Sequence, residues 1–439
     1  MQFPRRERGS SVLKFPSAKN SGILSGRISA FAALLALPTM ALAQNPRERL
    51  ERPAVEAVGP TELPEVVVTG NAETTSNAQV NTQLEAAREK HPGAVSTVSP
   101  EELQLQKPSN LGEVLARVPG AAYVDEDGRG TKPNISLRGL NPIRSEYVQL
   151  LLDRVPVQPS LYSETAAYYG PVVERIAGIE VFKGGAGILF GPNSVGGVIN
   201  LISRPPSLEP FSAIIDTRFD SWGDYSGNIF VSGTHGPLSY GVEYLHKGGD
   251  GFRDSLGYNI DDLDIKLGIR INENHSAQIR FQYYDEQSET PGGLLPDQFR
   301  GDITRSNKPH DEFFATRVGG DLRTFHQLTE NQRFETLLYG YTFERDWFLQ
   351  DYVNNDTADL TLADQNQQYL RDFSVIGFEP RYILNYDLGK STGHEDRKGQ
   401  VGAAAGARLQ SGRKHAAGAA RPEAGAGRDA AHRDRHAQA

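Results

Sequence analysis

The sequence predicts a mixed fold: a small α+β domain followed by an antiparallel transmembrane β-barrel. Three observations carry this. Residues 211–388 fall into segments of about ten residues that alternate apolar and polar side chains with period two. Residues 80–206 instead mix capped helical stretches, short β-branched runs and glycine turns. A basic leader with an apolar stretch stands in front of both.

The leader carries Arg5, Arg6, Arg8, Lys14, Lys19 and Arg27, then an apolar run over residues 28–37, Pro38 and the small-residue site Ala41-Leu42-Ala43. This is the pattern of a cleaved signal peptide over residues 1–43, with the mature chain starting near Gln44. The apolar run is too short to span a bilayer, and no other segment approaches the ~18 apolar residues of a membrane helix. The 439 residues hold no cysteine, which rules out a disulfide scaffold in an exported chain. A net charge of −9 argues against nucleic acid as a partner, because phosphate binding needs a basic face.

Residues 44–79 read as a flexible arm. Within it Leu63-Pro64-Glu65-Val66-Val67-Val68-Thr69-Gly70 favours an extended strand. By itself this stretch is either an incidental edge strand or a segment that adds to another protein's sheet. Residues 80–206 form the α+β domain. Ser99-Pro100-Glu101-Glu102 is a capping-box start, Asn110 caps a second helix, and Pro119-Gly120 ends it. Short strands are expected around residues 135–137, 147–152, 179–182 and 198–202, joined by loops rich in tyrosine.

After Pro205-Pro206 the texture changes. Leu263, Ile265, Leu267, Ile269 and Ile271 face one way, while Asp262, Asp264, Lys266, Gly268 and Arg270 face the other. Eight such strands begin near residues 211, 224, 237, 261, 274, 312, 332 and 371. The turn at Asn272-Glu273-Asn274 is tight, whereas the connections over residues 285–311 and 346–371 are long. A soluble β-sandwich would show shorter strands and no such alternation of short and long links. Over residues 389–439 the pattern fails: from residue 399 onward Ala, Gly, Arg and His make up 30 of 41 residues. A shifted reading frame explains that composition better than a disordered tail does.

The glycines of LFGPNSVGGVINLISRP, at 191, 196 and 197, invite a phosphate-binding reading. A P-loop requires Lys and Ser/Thr after its second glycine, and here Gly197 and Val198 follow Gly196. The dinucleotide fingerprint fails too, since Gly185-Ala186-Gly187 meets its third glycine one residue late. These glycines therefore serve backbone turns and close strand approach. The ten histidines lack metal-ligand spacing, no catalytic constellation is present, and neither an enzyme nor a resident cofactor is expected.

The motifs LPEVVVTG, NLGEVLARVPGAAY, NISLRGLNP, VQLLLDRVPV and VERIAGIEVFKGGAGILFGPNSVGGVINLISRP, in this order, resemble TonB-dependent outer-membrane receptors. The likeness covers residues 63–388, and SETPGGL (residues 288–294) resembles most the ferric-citrate branch. It implies that residues 80–206 are a plug, that residues 211–388 are the first part of a wall of 22 strands, and that residues 63–70 are a TonB box. It further implies a monomer in the lipid of a Gram-negative outer membrane. Such a receptor imports a ferric chelate, citrate or siderophore, with energy from the TonB complex. A receptor for haem, cobalamin or another scarce nutrient, or an uncoupled pore or adhesin, is the alternative. The stretch between Gln44 and Leu63 is too short for a signalling domain, so transport without direct transcriptional signalling is expected.

For ligand contact the resemblance nominates Asn141, Arg144, Gln158, Tyr162 and Tyr168, in the loops after Gly139 and Val157. Arg138 and Arg175 are assigned instead to pairing with wall carboxylates. Eight strands cannot close around such a plug, and an open edge in lipid strands backbone polar groups. If the chain ends as written, it is therefore expected neither to insert stably nor to transport. With the full wall in place, deleting residues 63–70 should abolish uptake of a radiolabelled chelate while leaving binding intact; an uncoupled pore would keep its uptake.

Overall fold

The computed structural model describes residues 72–91, 93–157, 168–184, 187, 190–191, 194–353, 361–387, 398–404 and 407–416. The leader, the 63–70 segment, Gln158 and Tyr162 lie outside the described residues.

Helix α1 (Ala72–Lys90) opens the first domain. Its first turns take residues 72–79, which the sequence assigns to the flexible arm. The helix is largely polar, and its apolar stripe is narrow. Val80 and Leu84, one turn apart, pack with Ala177 and Ile202. Docking against the sheet supplies what so weak a stripe cannot.

Strand β1 (Ala94–Val98) leads into α2 (Pro100–Gln106), where the expected capping box is formed. The Glu102 amide donates to Ser99 Oγ at 3.3 Å, and the Ser99 amide donates to Glu102 Oε2 at 2.8 Å. Asn110 caps α3 (Leu111–Leu115), its Oδ1 accepting the Glu113 amide at 3.1 Å. Strands β2 (Ala121–Asp125) and β3 (Pro133–Leu137) form a separate antiparallel pair.

Strand β4 (Val148–Leu152) turns through Asp153 and Arg154 into β5 (Val155–Pro156). Both turn residues are left-handed, with φ of 49° and 68°, as a type I′ hairpin demands. Strands β6 (Ile176–Lys183) and β7 (Gly197–Ser203) complete a five-stranded sheet in the order β1-β6-β7-β4-β5. Strands β4 and β7 pair in parallel, the others antiparallel. The residues of β4 and β7 are buried on both faces; their apolar runs are interrupted by Gln149 and Asn200, and Asn200 donates to Glu180 and accepts the Arg154 amide.

The glycine cluster works by shape. A Cβ on Gly197 would lie 2.3 Å from the Phe182 carbonyl oxygen of β6, and one on Gly196 would lie 2.8 Å from that of Tyr147. The Gly196 amide donates to the same Tyr147 oxygen at 2.8 Å.

The second sheet is the wall. Its strands are β8 (Ser212–Phe219), β9 (Tyr225–His235), β10 (Leu238–Gly249), β11 (Tyr258–Arg270), β12 (His275–Glu289), β13 (Glu312–Thr329), β14 (Gln332–Tyr352) and β15 (Leu362–Asp387), each antiparallel to the next. Connections 236–237, 271–274 and 330–331 gather at one end, and 220–224, 250–257 and 290–311 at the other. The long links are shorter than the sequence suggests, because strands continue into them. Gln350 of β14 still pairs with Asn366 of β15. At about 3.4 Å per residue these strands far exceed the ~25 Å apolar band of an outer-membrane wall, so they project beyond it. In the tail, β16 (Lys398–Ala404) and β17 (Ala407–Ala416) both pair along one edge of β15. Ladder pairing uses the backbone, so the scarcity of β-branched residues there does not prevent it.

The two faces of the wall are sorted oppositely to those of a soluble sandwich. Asp262, Asp264 and Lys266 of β11 are buried, while Leu267 and Ile269 on its other face are 53% and 44% exposed. Ile279, Phe281, Leu322, Leu338, Ile376 and Phe378 extend this apolar outer surface across β12–β15. Polar inside and apolar outside is the signature of a membrane barrel wall.

Because Gly197 has φ of +142° and no room for a methyl, Gly197→Ala should cost about 2–4 kcal/mol in chemical denaturation followed by circular dichroism. Gly191→Ala, at φ +109° but with nothing within 4 Å of its Cβ, should cost less.

Candidate functional site

The polar inner face of the wall meets the first domain along a seam of buried ion pairs. Arg175 follows β5 in the chain and is 1% exposed. Its Nη1 donates to Asp262 Oδ1 at 2.6 Å and lies 3.4 Å from Asp264 Oδ2, and its Nη2 donates to the Tyr169 hydroxyl at 2.8 Å. Asp264 also accepts from Arg280 Nε at 2.7 Å, and Arg280 Nη1 pairs with Asp153 in the β4–β5 turn. Lys266 Nζ donates to Ser203 Oγ and to the Arg204 carbonyl, both at 2.6 Å. Nearer the long connections, Lys132 Nζ donates to Glu286 at 3.0 Å and to Ser288 at 3.3 Å, and lies 3.9 Å from the Phe313 ring centre.

Burial works to raise the Asp153 carboxyl, but Arg280, Lys266 and Arg323 more than offset it, so its pKa lies below the ordinary aspartate value. Asp127 behaves alike: burial is opposed by Lys132 and Arg129, and the carboxyl is held far down.

Arg175 thus spans from plug to wall carboxylates. Arg138, given the same role from sequence, does not. Its left-handed backbone (φ 58°) turns the exposed side chain back, and Nη2 donates to the Val195 carbonyl at 2.7 Å within its own domain. Of the nominated ligand residues, Asn141 is exposed and its Oδ1 accepts the Ile143 amide at 3.1 Å, closing a local turn. Arg144 is also exposed. Its left-handed backbone (φ 57°) is held by its amide donating to Asn134 Oδ1 at 2.6 Å. Tyr168 packs edge-on against Trp347, with ring centres 6.1 Å apart.

Two wall residues escaped the sequence reading. Arg345 of β14 is 2% exposed and lies 4.3 Å from the Tyr168 ring centre and 5.5 Å from that of Trp347. Among the ionisable groups acting on it are Tyr168 and the like-charged Arg371 and Arg144, with Asp346 next to it in the chain, and its Nη2 donates to the Tyr369 carbonyl at 3.4 Å. Arg317 of β13, 3% exposed, lies between Tyr169 and Tyr341 at 5.0 and 4.1 Å and donates to Gln282 Oε1 at 3.1 Å. Neither guanidinium pairs with a carboxylate among the described residues, and the Nε of each is buried without a hydrogen-bond partner. Both share the inward parity of their strands, a signal the sequence does hold. A buried guanidinium without a counter-ion is costly, and stacking on aromatic faces recovers only part of that cost.

The opposite end of the seam differs. Near the short turns it opens into a cavity of about 620 Å³ whose lining includes Asp153, Arg154, Arg323, Glu335, Glu379 and Arg381. Here the charges pair: Arg154 with Glu335 at 3.1 Å, Arg381 with Glu379 at 3.5 Å.

An antiparallel wall, polar where it meets a folded domain and apolar on its outer face, has the architecture of a plugged outer-membrane barrel. Residues 87–198 match the TonB-dependent Receptor Plug Domain. The chain is 29% identical over 270 residues to the ferric enterobactin receptor PirA of Pseudomonas aeruginosa, covering 56% of this chain and 32% of that protein. To the vitamin B12 transporter BtuB of Vibrio vulnificus it is 25% identical over 253 residues, covering 54% and 39%. Its fold resembles that of the ferric citrate transporter FecA in its unliganded form, with a TM-score of 0.65 at 24% identity over 77% of this chain and 50% of that one. Residues 87–198 thus carry the plug domain of TonB-dependent receptors, and the relatives named here are receptors and transporters, not enzymes. The chain spans about a third of the length of these curated relatives.

The depressed Asp127 and Asp153 contribute stability that is full above the unfolded aspartate value of about 3.9 and is lost as pH falls through their lower folded values. Acidification below about pH 4 should therefore loosen the seam, read as faster amide exchange in β4 and β11, and Asp153→Asn should flatten part of that acid dependence.

Proposed function

We propose that the receptor to which this chain belongs imports an anionic ferric chelate, citrate or a siderophore, from the outer surface to the periplasm. The observation that supports it most is the cationic group at the long-loop end: Arg345 buried without a carboxylate, with Arg371 and Arg144 acting on it. An anionic chelate satisfies the Arg345 guanidinium through charge-assisted hydrogen bonds, and the aromatic faces of Tyr168 and Trp347 border the same place. The names of the relatives, a ferric enterobactin receptor and a vitamin B12 transporter, speak for import of a scarce nutrient. The cations favour an anion over a ligand without net negative charge.

Import is energised through residues 63–70, which add as a strand to a periplasmic partner of the TonB complex. The chain itself needs no covalent chemistry. Its residues bind the chelate, hold the plug in register and yield when the plug is pulled.

The chain has two tryptophans, and Trp347 lies beside Arg345, so a Trp222→Phe background isolates the reporter. Ferric citrate should quench Trp347 fluorescence saturably, and Arg345→Ala should weaken that binding by about tenfold or more. Equal binding by Arg345→Ala, or equal binding of a chelate without negative charge, would count against an anion site.

A further inference from the structure

A pair of histidines lies outside the seam, on the outer surface of the wall. His275 begins β12 and His326 lies near the end of β13, and they are direct cross-strand partners. The Gln327 amide donates to the Asn274 carbonyl at 2.8 Å, so the neighbouring pair is the hydrogen-bonded one. His275 and His326 therefore occupy a non-hydrogen-bonded position, where facing side chains come closest. Their parity is that of Ile279 and Leu322, which face outward, away from the plug. The pair stands beside the 271–274 turn, at the short-turn rim of the apolar band.

The two Nδ1 atoms are 3.0 Å apart, and the rings are tilted by 53° with centres 5.1 Å apart. The Phe334 ring lies nearly parallel to that of His326, with centres 6.5 Å apart and planes at 22°. With no metal, one imidazole must donate its Nδ1 proton to the other. A Zn–N bond of about 2.0–2.1 Å at a tetrahedral angle sets its two nitrogens about 3.3 Å apart. Opening the pair by a few tenths of an ångström thus replaces the shared proton with a metal ion.

We propose that His275 and His326 form a two-imidazole site for a divalent transition metal, Zn²⁺ or Cu²⁺, at the rim of the wall. Among the described residues no group of three or more His, Cys, Asp or Glu gathers into a metal site, so water completes the coordination and the ion exchanges freely. Imidazole nitrogens select these ions over Mg²⁺ and Ca²⁺, which take oxygen ligands. The bound ion ties β12 to β13 across the strands, apart from the route of the imported ligand.

The full chain would be modified with diethylpyrocarbonate, and His275 and His326 read individually by mass spectrometry, with the exposed His235 and His310 as internal controls. Zn²⁺ at about ten times its Kd should protect both sites about tenfold, while Mg²⁺ protects neither. His326→Gln should abolish protection at His275, and His275→Gln should abolish it at His326. Modification unchanged by Zn²⁺, or protection of either histidine that survives loss of its partner, would overturn the proposal.

Discussion

One carboxylate shared by two guanidiniums ties the two domains together. Asp264 of β11 receives Arg175 from the plug and Arg280 from the wall, and Arg280 returns to the plug through Asp153. The constraint behind this arrangement is the membrane. A wall whose outer face must be apolar places its polar residues inward, and those groups must then be satisfied by water or by the plug. Removing a buried ion from water costs several kcal/mol, and good geometry roughly repays it, so such a network adds little net stability. What it adds is register. Displacing the plug by one strand position would part Asp262 from Arg175 and Arg280 from Asp153, leaving only the Arg280–Asp264 pair within the wall. Shifting it out altogether lets water solvate the same carboxylates. The seam therefore resists sliding more than it resists hydrated separation, which suits a domain that, in the proposed reading, sits firmly and is still moved.

How far the sequence discloses this depends on the range of the interaction concerned. Period-two alternation is local, and the burial of Asp262 and Asp264 opposite exposed Leu267 and Ile269 follows from it directly. The Ser99 box and the Asn110 cap are also local, set by residues three apart. Gly197 is legible as a glycine that must be one, although the atom it avoids, the Phe182 carbonyl oxygen, belongs to another strand. Helix α1 is hidden because its stripe is two residues wide and its partners, Ala177 and Ile202, lie about a hundred residues away. The Asp153-Arg154 turn is hidden because neither residue is the glycine or asparagine that announces a I′ hairpin. Arg138 and Arg175 look alike in sequence. They part only because a left-handed corner turns one of them away from the wall.

The candidate site was half legible for the same reason. Arg144 and Tyr168 could be nominated from loop chemistry, but Arg317 and Arg345 take their meaning from what faces them across the seam. Their inward parity was visible, whereas the absence of an opposing carboxylate needs the register between plug and wall. Asn141 shows the reverse. A polar loop residue that looks free in sequence spends its Oδ1 on its own turn.

The two ends of the seam are electrostatically unlike, and this bears on direction. At the short-turn end Arg154 and Arg381 each have a carboxylate partner, in Glu335 and Glu379. At the long-loop end Arg345 makes no ion pair with a carboxylate among the described residues, and Arg371 and Arg144 act on it as like charges. In the proposed reading an arriving anion cancels this repulsion and draws the loop onto the wall. The loaded state is then the tighter one, and a ligand so held is not released inward by diffusion alone. Work has to be done on the plug from the other side. The same cations that make capture favourable are thus the reason import through such a wall calls for an external source of energy.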